Sequence, residues 1–346
     1  MKIAISSMTL EQLENFVKEQ GQPKFRAGQL FQWLHGRQVD SFSEMTDQPK
    51  SFLSVLEQEC TIERLAVQQC QISKDGTRKY LFSLPDGNCI ETVWMQYSYG
   101  NTVCVSTQVG CRMGCRFCAS TQGGKVRDLT AGEIAGEIYA VMKDTGQRVS
   151  HIVLMGIGEP LDNFENVLDF LSIISSPKGV NIGMRSISLS TCGLVPKIKE
   201  LAQKKLQLTL SVSLHAPLNE MRSKMMPVND AYPVEELIAA CREYQNVTGR
   251  RISFEYSMVR GVNDSPQTAK KLAELIRGMG AHVNLIPINP VDGSPFTATD
   301  AAAVKRFQET LTKLGVNATV RRRLGTDISA ACGQLRRNAK KEVTVR

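Results

Sequence analysis

The chain has 346 residues, of which 42% are hydrophobic, and it carries 10 cysteines and a formal net charge of +8 at pH 7. A chain of this length can bury a large core without the help of disulfide bonds, which argues against a small disulfide-stabilised scaffold. No apolar run reaches the length of a signal peptide or membrane span. We therefore expect a cytoplasmic protein with no membrane partner, whose excess positive charge favours a polyanionic one.

The N-terminal part of the chain has the apolar periodicity of helices. Leu10, Leu13 and Phe16 lie on one helical face, and further helical segments cover residues 25–33 and 52–56. Next come two strand-like segments, 80–84 and 89–95, on either side of the turn Pro85-Asp86-Gly87. The sequence therefore predicts a small helical domain followed by a linking β-hairpin.

After residue 100, short β-branched runs alternate with longer helical patterns, which is typical of a parallel sheet with crossover helices. The predicted strands cover residues 102–107, 151–155, 186–191, 207–214, 251–258 and 281–286. The predicted helices lie near residues 130–143, 164–175, 196–204, 233–247, 266–279 and 297–314. With a further strand at 317–321, the pattern favours an α/β fold containing a partial, open (β/α)6 barrel.

Three cysteines follow the first predicted barrel strand in a Cys-x3-Cys-x2-Cys spacing. They are Cys111, Cys115 and Cys118, and Gly110 and Gly114 let the backbone fold around a bulky group. Three thiolates can ligate three irons of a cubane cluster and leave the fourth iron free to bind another molecule. This spacing therefore indicates an iron–sulfur cluster with one open position.

Two alternatives remain for the cysteine motif. A structural zinc ion would need a fourth ligand, which His151 or His215 could supply. Alternatively, the three cysteines have unrelated structural roles. Several other cysteines occur singly, and we interpret them as small buried apolar residues: Cys60, Cys70, Cys192 and Cys241.

Polar residues end several of the predicted strands, on the side where barrel enzymes build their active sites. Ser190 ends the third strand, the segment Ser213-Leu214-His215 ends the fourth, and Asn289 follows the sixth. These residues are candidate ligand contacts. For each of them, a helix cap or a hydrogen bond within a loop is the alternative.

Together these features resemble the radical S-adenosylmethionine superfamily, in which the open iron of a 4Fe-4S cluster chelates the methionine part of S-adenosylmethionine. The segment Gly156-Ile157-Gly158-Glu159 is similar to the Gly-Gly-Glu element of that superfamily. The resemblance implies that Gly158 and Glu159 hold the ammonium group of this cofactor. It also implies that the polar strand-end residues contribute to cofactor binding.

Longer strings narrow the resemblance to the RlmN/Cfr group, which methylates adenosine in ribosomal RNA. They include VCVSTQVGCRMGCRFCAST, HIVLMGIGEPLDN and GTDISAACGQLR, and the similarity extends from the helical N-terminus to Arg336. It implies a radical S-adenosylmethionine methyltransferase acting on carbon 2 of an adenosine in 23S ribosomal RNA, with transfer RNA as a second candidate substrate. A carbon-8 methyltransferase of the Cfr type and a non-catalytic, metal-bearing RNA-binding protein are the alternatives.

The resemblance also assigns roles to three residues. A cysteine matching Cys332 becomes methylated and carries the methyl group, and a 5′-deoxyadenosyl radical then takes a hydrogen atom from that methyl group. The resulting carbon radical adds to carbon 2 of adenine, which is too electron-poor for ordinary methyl transfer. A cysteine matching Cys104 releases the product by forming a disulfide with Cys332, and the position of Glu91 is that of a proton acceptor.

We expect four regions along the chain. They are an N-terminal accessory and RNA-binding domain (1–75), the hairpin (76–98), the barrel with its C-terminal catalytic loop (99–336) and a basic tail (337–346). An external electron donor is the further partner, and the protein is expected to be a monomer. Candidate phosphate contacts are the basic residues Lys24, Arg26, Arg112, Arg116, Arg127, Arg321, Arg322 and Arg323.

Overall fold

The computed structural model describes residues 2–289 and 295–330, and its N-terminal region is helical. The helices are α1 (Leu10–Glu19), α2 (Phe25–Phe31), which continues as a π-helical segment over Gln32–Arg37, and α3 (Lys50–Glu59). Two short strands, β1 (Ile3–Ala4) and β2 (Cys60–Thr61), pair in parallel and bring the two ends of this region together. Helix α1 is capped by Thr9, whose hydroxyl accepts a hydrogen bond from the Gln12 backbone N–H in a capping box.

The remaining strands belong to one large sheet and one small ribbon. They are β3 (Ala66–Ile72), β4 (Arg78–Ser83), β5 (Cys89–Tyr97), β6 (Gly100–Cys104), β7 (Gln108–Gly110), β8 (Lys125–Asp128), β9 (His151–Leu154), β10 (Ile187–Thr191), β11 (Thr209–Ser213), β12 (Ile252–Met258), β13 (His282–Pro287) and β14 (Asn317–Val320). Strands β7 and β8 pair only with each other. The other ten form one sheet in the order β14-β13-β12-β11-β10-β9-β6-β5-β4-β3.

Seven strands of the large sheet, from β14 to β6, run parallel, whereas β5, β4 and β3 are antiparallel to their neighbours. Within the described residues the outer strands β14 and β3 do not pair with each other, so the barrel stays open. The predicted partial barrel and its terminal strand are confirmed.

The other α-helices of the described residues are α4 (Ala131–Thr145), α5 (Phe164–Ser175), α6 (Val195–Gln203), α7 (Asn219–Met225), α8 (Val228–Ala231), α9 (Val234–Thr248), α10 (Pro266–Leu275) and α11 (Ala301–Lys313). All of them cover the outer face of the parallel strands except the short helices α7 and α8, which follow β11 and contribute side chains to a second cluster around Cys115. The apolar core lies between these helices and the sheet, and side chains from α1, α2 and α3 join the same core. None of the helices in residues 2–289 and 295–330 has the length and apolar character needed to cross a membrane.

The structure differs from the sequence-based expectation at strand β3. The region 1–75 was expected to be helical, but residues Ala66–Ile72 form an edge strand of the large sheet. Six of its seven residues are exposed, so the alternation of buried and exposed side chains that predicts a strand is absent. The hairpin β4–β5 forms as expected but belongs to the main sheet, and the four region boundaries stay a prediction.

Candidate active site

The three motif cysteines lie in the loop between β7 and β8 and face one cavity. Cys111 and Cys115 are buried and Cys118 is half-buried. The loop folds back on itself, since the Cys118 N–H donates to the Cys115 carbonyl at 3.1 Å and the Cys111 N–H donates to the Gly124 carbonyl at 3.1 Å. The left-handed backbone of Gly114, with φ of 72°, makes this fold possible.

The donor set of this loop fits a cluster better than a single metal ion. Burial raises the pKa of Cys111 to about 12 and that of Cys115 well above its usual range, and the mutual repulsion of the motif thiolates adds to both shifts. Such thiols ionise only beside a strong positive charge, which ligated iron provides. Within residues 2–289 and 295–330, no three His, Cys, Asp or Glu side chains converge on one point, as a zinc site needs. A cubane cluster does not need this, because each thiolate binds a different iron.

Neither histidine considered for a zinc site is placed to complete one. His151 begins β9, at the amino end of the sheet, and its ring contacts Tyr99 with a centroid distance of 5.2 Å. His215 lines the cavity, but its Nδ1 accepts a hydrogen bond from the Ser257 N–H at 2.8 Å. The zinc alternative therefore has no preformed fourth ligand among these two.

Two glycines in the loop after β9 lie so close to a neighbouring segment of the chain that no side chain would fit at either position. A Cβ on Gly156 would lie 2.6 Å from the Val105 carbonyl oxygen, and one on Gly158 would lie 2.7 Å from the Gln108 Cβ. Gly158 also has a φ of 110°, which L side chains rarely adopt. Only glycine lets this loop pass so close to the segment that follows β6.

Glu159 projects from this loop into the cavity and is held by backbone donors. Its carboxylate accepts hydrogen bonds from the Leu161 N–H at 3.0 Å and the Cys192 N–H at 2.7 Å, and its own N–H donates to the Gln108 Oε1 at 2.9 Å. Burial raises the pKa of this carboxyl, and these hydrogen bonds partly offset the rise. A buried carboxylate oriented in this way suits a cationic ligand group.

The residues that end β11 are placed differently from one another. Ser213 and His215 line the cavity, whereas the Leu214 side chain is fully buried in the core. His215 has a left-handed backbone, with φ of 57°, and burial lowers its pKa to about 3, so its ring is neutral. Because Nδ1 accepts from the Ser257 N–H, the proton sits on Nε2.

Ser190 and Asn289 also line the cavity, as expected for strand-end residues. A further lining residue is Cys192, which the sequence analysis interpreted as a small buried apolar residue. It is buried, and its backbone N–H donates to the Glu159 carboxylate. Nothing in its local sequence distinguishes it from a core cysteine, because its neighbours in the cavity come from distant parts of the chain.

A fully buried cation that the sequence pattern does not reveal is Arg222, which bonds to the cavity-lining residues Cys192 and Ser213. Its guanidinium donates to the carbonyls of Cys192 at 2.6 Å, Ser213 at 3.1 Å and Leu214 at 3.1 Å, and so joins the ends of β10 and β11 to α7. The residue lies in a short polar helix that apolar periodicity does not reveal, which is why it was missed.

The predicted second cysteine, Cys104, ends β6 and is buried beside the cavity. It packs in an apolar cluster with Val93, Met95, Ile157 and Ala330. Glu91 is buried two residues before Val93 on β5, so the two side chains share one face of the strand. Glu91 is not among the cavity-lining residues. Cys332 lies outside the described residues, two positions after Ala330.

The basic residues expected to contact RNA fall into two groups. Arg321, Arg322 and Arg323 line the cavity mouth. By contrast, Arg127 is held by carboxylates, with ion pairs to Asp86 at 2.5 Å and Glu133 at 2.7 Å. Several others are also engaged with polar groups of the chain, namely Lys24 with Glu14, Arg26 with Gln48 and Arg112 with Asp162.

Comparison with known proteins places these features in a family. Residues 105–275 match the model of the radical SAM superfamily, and residues 3–62 match that of the ribosomal RNA large subunit methyltransferase N-terminal domain. A solved radical SAM methyltransferase from Sphaerobacter thermophilus superposes with a TM-score of 0.91 at 44% identity, over 96% of this chain and 99% of that one.

Curated relatives share about half of their residues with this chain over nearly its whole length. A probable dual-specificity RNA methyltransferase RlmN from Lachnospira eligens is 50% identical, covering 96% of this chain and 95% of the relative. A protein of the same name from Clostridium perfringens is 51% identical, covering 96% of each chain. The chain therefore belongs to the RlmN family of radical S-adenosylmethionine RNA methyltransferases.

Proposed function

We propose that this enzyme methylates carbon 2 of an adenosine in 23S ribosomal RNA and in transfer RNA, with Cys332 carrying the methyl group. The observation that carries this proposal is the identity of about 50% with relatives named as dual-specificity RNA methyltransferases, over 96% of the chain. The open cavity beside Cys104 and the motif cysteines supports it. The protein is further proposed to be a cytoplasmic monomer that depends on an external electron donor.

Three groups of residues would take part in the reaction: the cluster ligands, the residues that bind S-adenosylmethionine, and the two thiols with Glu91. Cys111, Cys115 and Cys118 would hold a 4Fe-4S cluster. Gly158, Glu159, Ser190, Ser213, His215 and Asn289 would bind S-adenosylmethionine beside it. Leu214, whose backbone N–H and carbonyl bond to Glu255 and Arg222, would contribute by fixing the end of β11. When bound, the cluster and S-adenosylmethionine supply the methyl group and the radical chemistry that an electron-poor carbon requires.

The protein's own thiols would complete the reaction. Cys332 would accept the methyl group and form the covalent link to the adenine, and Glu91 would take the proton that leaves the ring. Cys104 would then attack the sulfur of Cys332 and break its bond to carbon. The carbon would keep the electron pair and take up a proton to become the methyl group, so the methylated RNA leaves and one disulfide remains. Two electrons from the external donor would restore both thiols. The apolar contact between Cys104 and Ala330, two residues before Cys332, supports this pairing.

Nucleoside mass spectrometry tests the proposal. RNA from cells that lack the gene, with or without a plasmid copy of it, is digested, and methyladenosines are separated by the position of the methyl group. We expect 2-methyladenosine in both 23S ribosomal RNA and transfer RNA only when the gene is present. An 8-methyladenosine product would assign the chain to the carbon-8 reaction instead, and methylation by Cys332→Ala would exclude the carrier role of that thiol.

A further inference from the structure

The end of the described chain docks on a turn that lies far away in the sequence. Residues 325–330, which follow β14, contact residues 73–77, the turn between β3 and β4. The Ser73 hydroxyl donates to the Asp327 carboxylate at 2.5 Å, and the Lys74 N–H donates to the same carboxylate at 3.2 Å. In return, the Gly325 N–H donates to the Asp75 carboxylate at 2.9 Å. The two segments thus exchange hydrogen bonds in both directions.

The docked segment has a defined shape of its own. The N–H groups of Ile328 and Ala330 both donate to the Gly325 carbonyl, at 3.3 and 3.1 Å, so the chain folds back tightly after residue 325. Gly325 has a φ of 60°, and a Cβ there would lie 2.6 Å from the Ala330 Cβ. A buried lysine of β4, Lys79, donates to the Ser329 carbonyl at 3.4 Å.

The fold-back directs Ala330 into the cluster around Cys104. Two residues of extended chain span at most about 7 Å, so docking of Ala330 limits how far the thiol two positions later can lie from Cys104. The docked turn, together with the packing of Leu324 and Ile328 against the same cluster, fixes the course of the chain after β14.

We propose that Ser73, Asp75 and Asp327 are positioning residues, which hold the 325–330 segment on the 73–77 turn and thereby deliver Cys332 to Cys104. This inference rests on the proposed pairing of the two thiols but adds the part of the chain that enforces it. The contacts are polar, and Asp75 and Asp327 are exposed at the surface, so their loss removes little buried apolar area. Their removal should therefore loosen the segment while leaving the fold intact.

The experiment measures how readily the two thiols meet, without any methylation. Anaerobically reconstituted holoenzyme is equilibrated with reduced and oxidised glutathione, and the Cys104–Cys332 disulfide is quantified by peptide mass spectrometry. Each disulfide that forms converts one oxidised glutathione to two reduced ones, so the ratio gives the effective concentration of one thiol at the other. We expect Ser73→Ala to lower this concentration about fivefold, the net scale of one ordinary hydrogen bond. Asp327→Ala, which removes the acceptor of two hydrogen bonds, should lower it at least as much.

A double-variant cycle and two controls separate docking from general damage. Because Ser73 and Asp327 share one hydrogen bond, Ser73→Ala should have a smaller effect in an Asp327→Ala background, where only the 3.4 Å hydrogen bond from the Asp75 N–H remains to be lost. Ser73→Thr, which keeps the hydroxyl, should restore the wild-type value. Ser83→Ala, at the opposite end of β4, should match the wild type, and the thermal midpoint should be unchanged in all of these variants.

The outcomes distinguish this inference from the proposed function. Equal effective concentrations in wild type, Ser73→Ala and Asp327→Ala would overturn the positioning role even if carbon-2 methylation is confirmed. Failure of the wild-type disulfide to form at any glutathione ratio would overturn it as well. Conversely, RNA methylation by Cys332→Ala would remove the carrier role of that thiol, and a fivefold drop in the docking variants would still establish the positioning of the segment.

Discussion

Single residues of this site are constrained by space as much as by reactivity. Gly156 and Gly158 have backbone or Cβ atoms within 2.7 Å of the point where a side chain would start, and Glu159 depends on their loop for its direction. A Gly-x-Gly-Glu turn after a strand is a local signal, so the sequence pattern alone indicates Gly158 and Glu159, and both line the cavity. It did not identify Cys192 or Gln108, which reach Glu159 only through the folded chain.

Replacement of Gly158 tests the spatial constraint. Gly158→Ala places a Cβ against Gln108 at a φ of 110°, so we expect the free energy of unfolding to fall by about 1–3 kcal/mol. Affinity for S-adenosylmethionine should fall too, because Glu159 is displaced. Urea unfolding and calorimetric titration of the reconstituted protein measure the two effects. Gly183→Ala is the control, since a Cβ there meets nothing within 4 Å, and equal behaviour of the two variants would contradict the prediction.

Replacement of Cys104 tests the proposed release step. With no second thiol to attack the sulfur of Cys332, Cys104→Ala should stop after one reaction and retain the RNA as a covalent adduct. Denaturing electrophoresis detects the adduct, and mass spectrometry of the digested complex identifies the linking residue. Cys241→Ala, which removes a buried thiol in α9, is the matched control and should turn over normally. Repeated turnover by Cys104→Ala would refute the two-thiol scheme.

At the scale of elements, the carboxyl ends of β10 and β11 are held in register by side chains as well as by the sheet. Arg222 spans from α7 to three backbone carbonyls at these ends. The strands themselves were predictable from apolar, β-branched runs, and so were the crossover helices. Helix α7 and strand β3 were not, since one is short and polar and the other is exposed along nearly its whole length. Periodicity reveals only elements that bury one face.

The hydrogen bonds of Arg222 should contribute both to the stability of the protein and to its binding of S-adenosylmethionine. Arg222→Met fills similar space but leaves three buried carbonyls without this donor, so the free energy of unfolding should fall by about 3 kcal/mol or more. Ser190 and Ser213 should also lose their alignment, which weakens S-adenosylmethionine binding. Arg242→Met serves as the control, because that side chain donates to the Leu275 and Arg277 carbonyls away from the cavity. An unchanged free energy of unfolding in Arg222→Met would show that these hydrogen bonds are not needed for stability.

At the scale of the whole molecule, the N-terminal helices and the barrel share one core, and a buried histidine lies where they meet. His35, in the π-helical segment after α2, hydrogen-bonds the Tyr139 hydroxyl of α4 at 3.0 Å. Burial, together with the nearby Arg64, lowers the pKa of His35 from 6.5 to about 3. The sequence indicated a helical N-terminal domain, but not how it joins the barrel, because that contact depends on residues about a hundred positions apart.

This histidine makes the contact sensitive to acid. Between about pH 6.5 and 3 the unfolded chain binds a proton at His35 that the folded chain does not, so the free energy of unfolding falls as the pH falls. The slope from this one group is about 1.4 kcal/mol per pH unit. His35→Gln should lose that slope in urea unfolding followed by tryptophan fluorescence between neutral pH and about pH 5. His282→Gln, at the outer strands, should retain it, and an unchanged slope in His35→Gln would contradict the assignment.

The hydrogen bond between Ser73 and Asp327 joins residues 254 positions apart, and this has a consequence for the order in which the chain is made. During synthesis, the 73–77 turn and the motif cysteines leave the ribosome long before residues 325–330 do. Most of the barrel can form while the last segment is still being translated. The stretch that brings Ala330 to the cavity is therefore completed last, and a nascent or truncated chain that ends before residue 325 would contain the residues proposed to hold the cofactors but not the proposed carrier thiol.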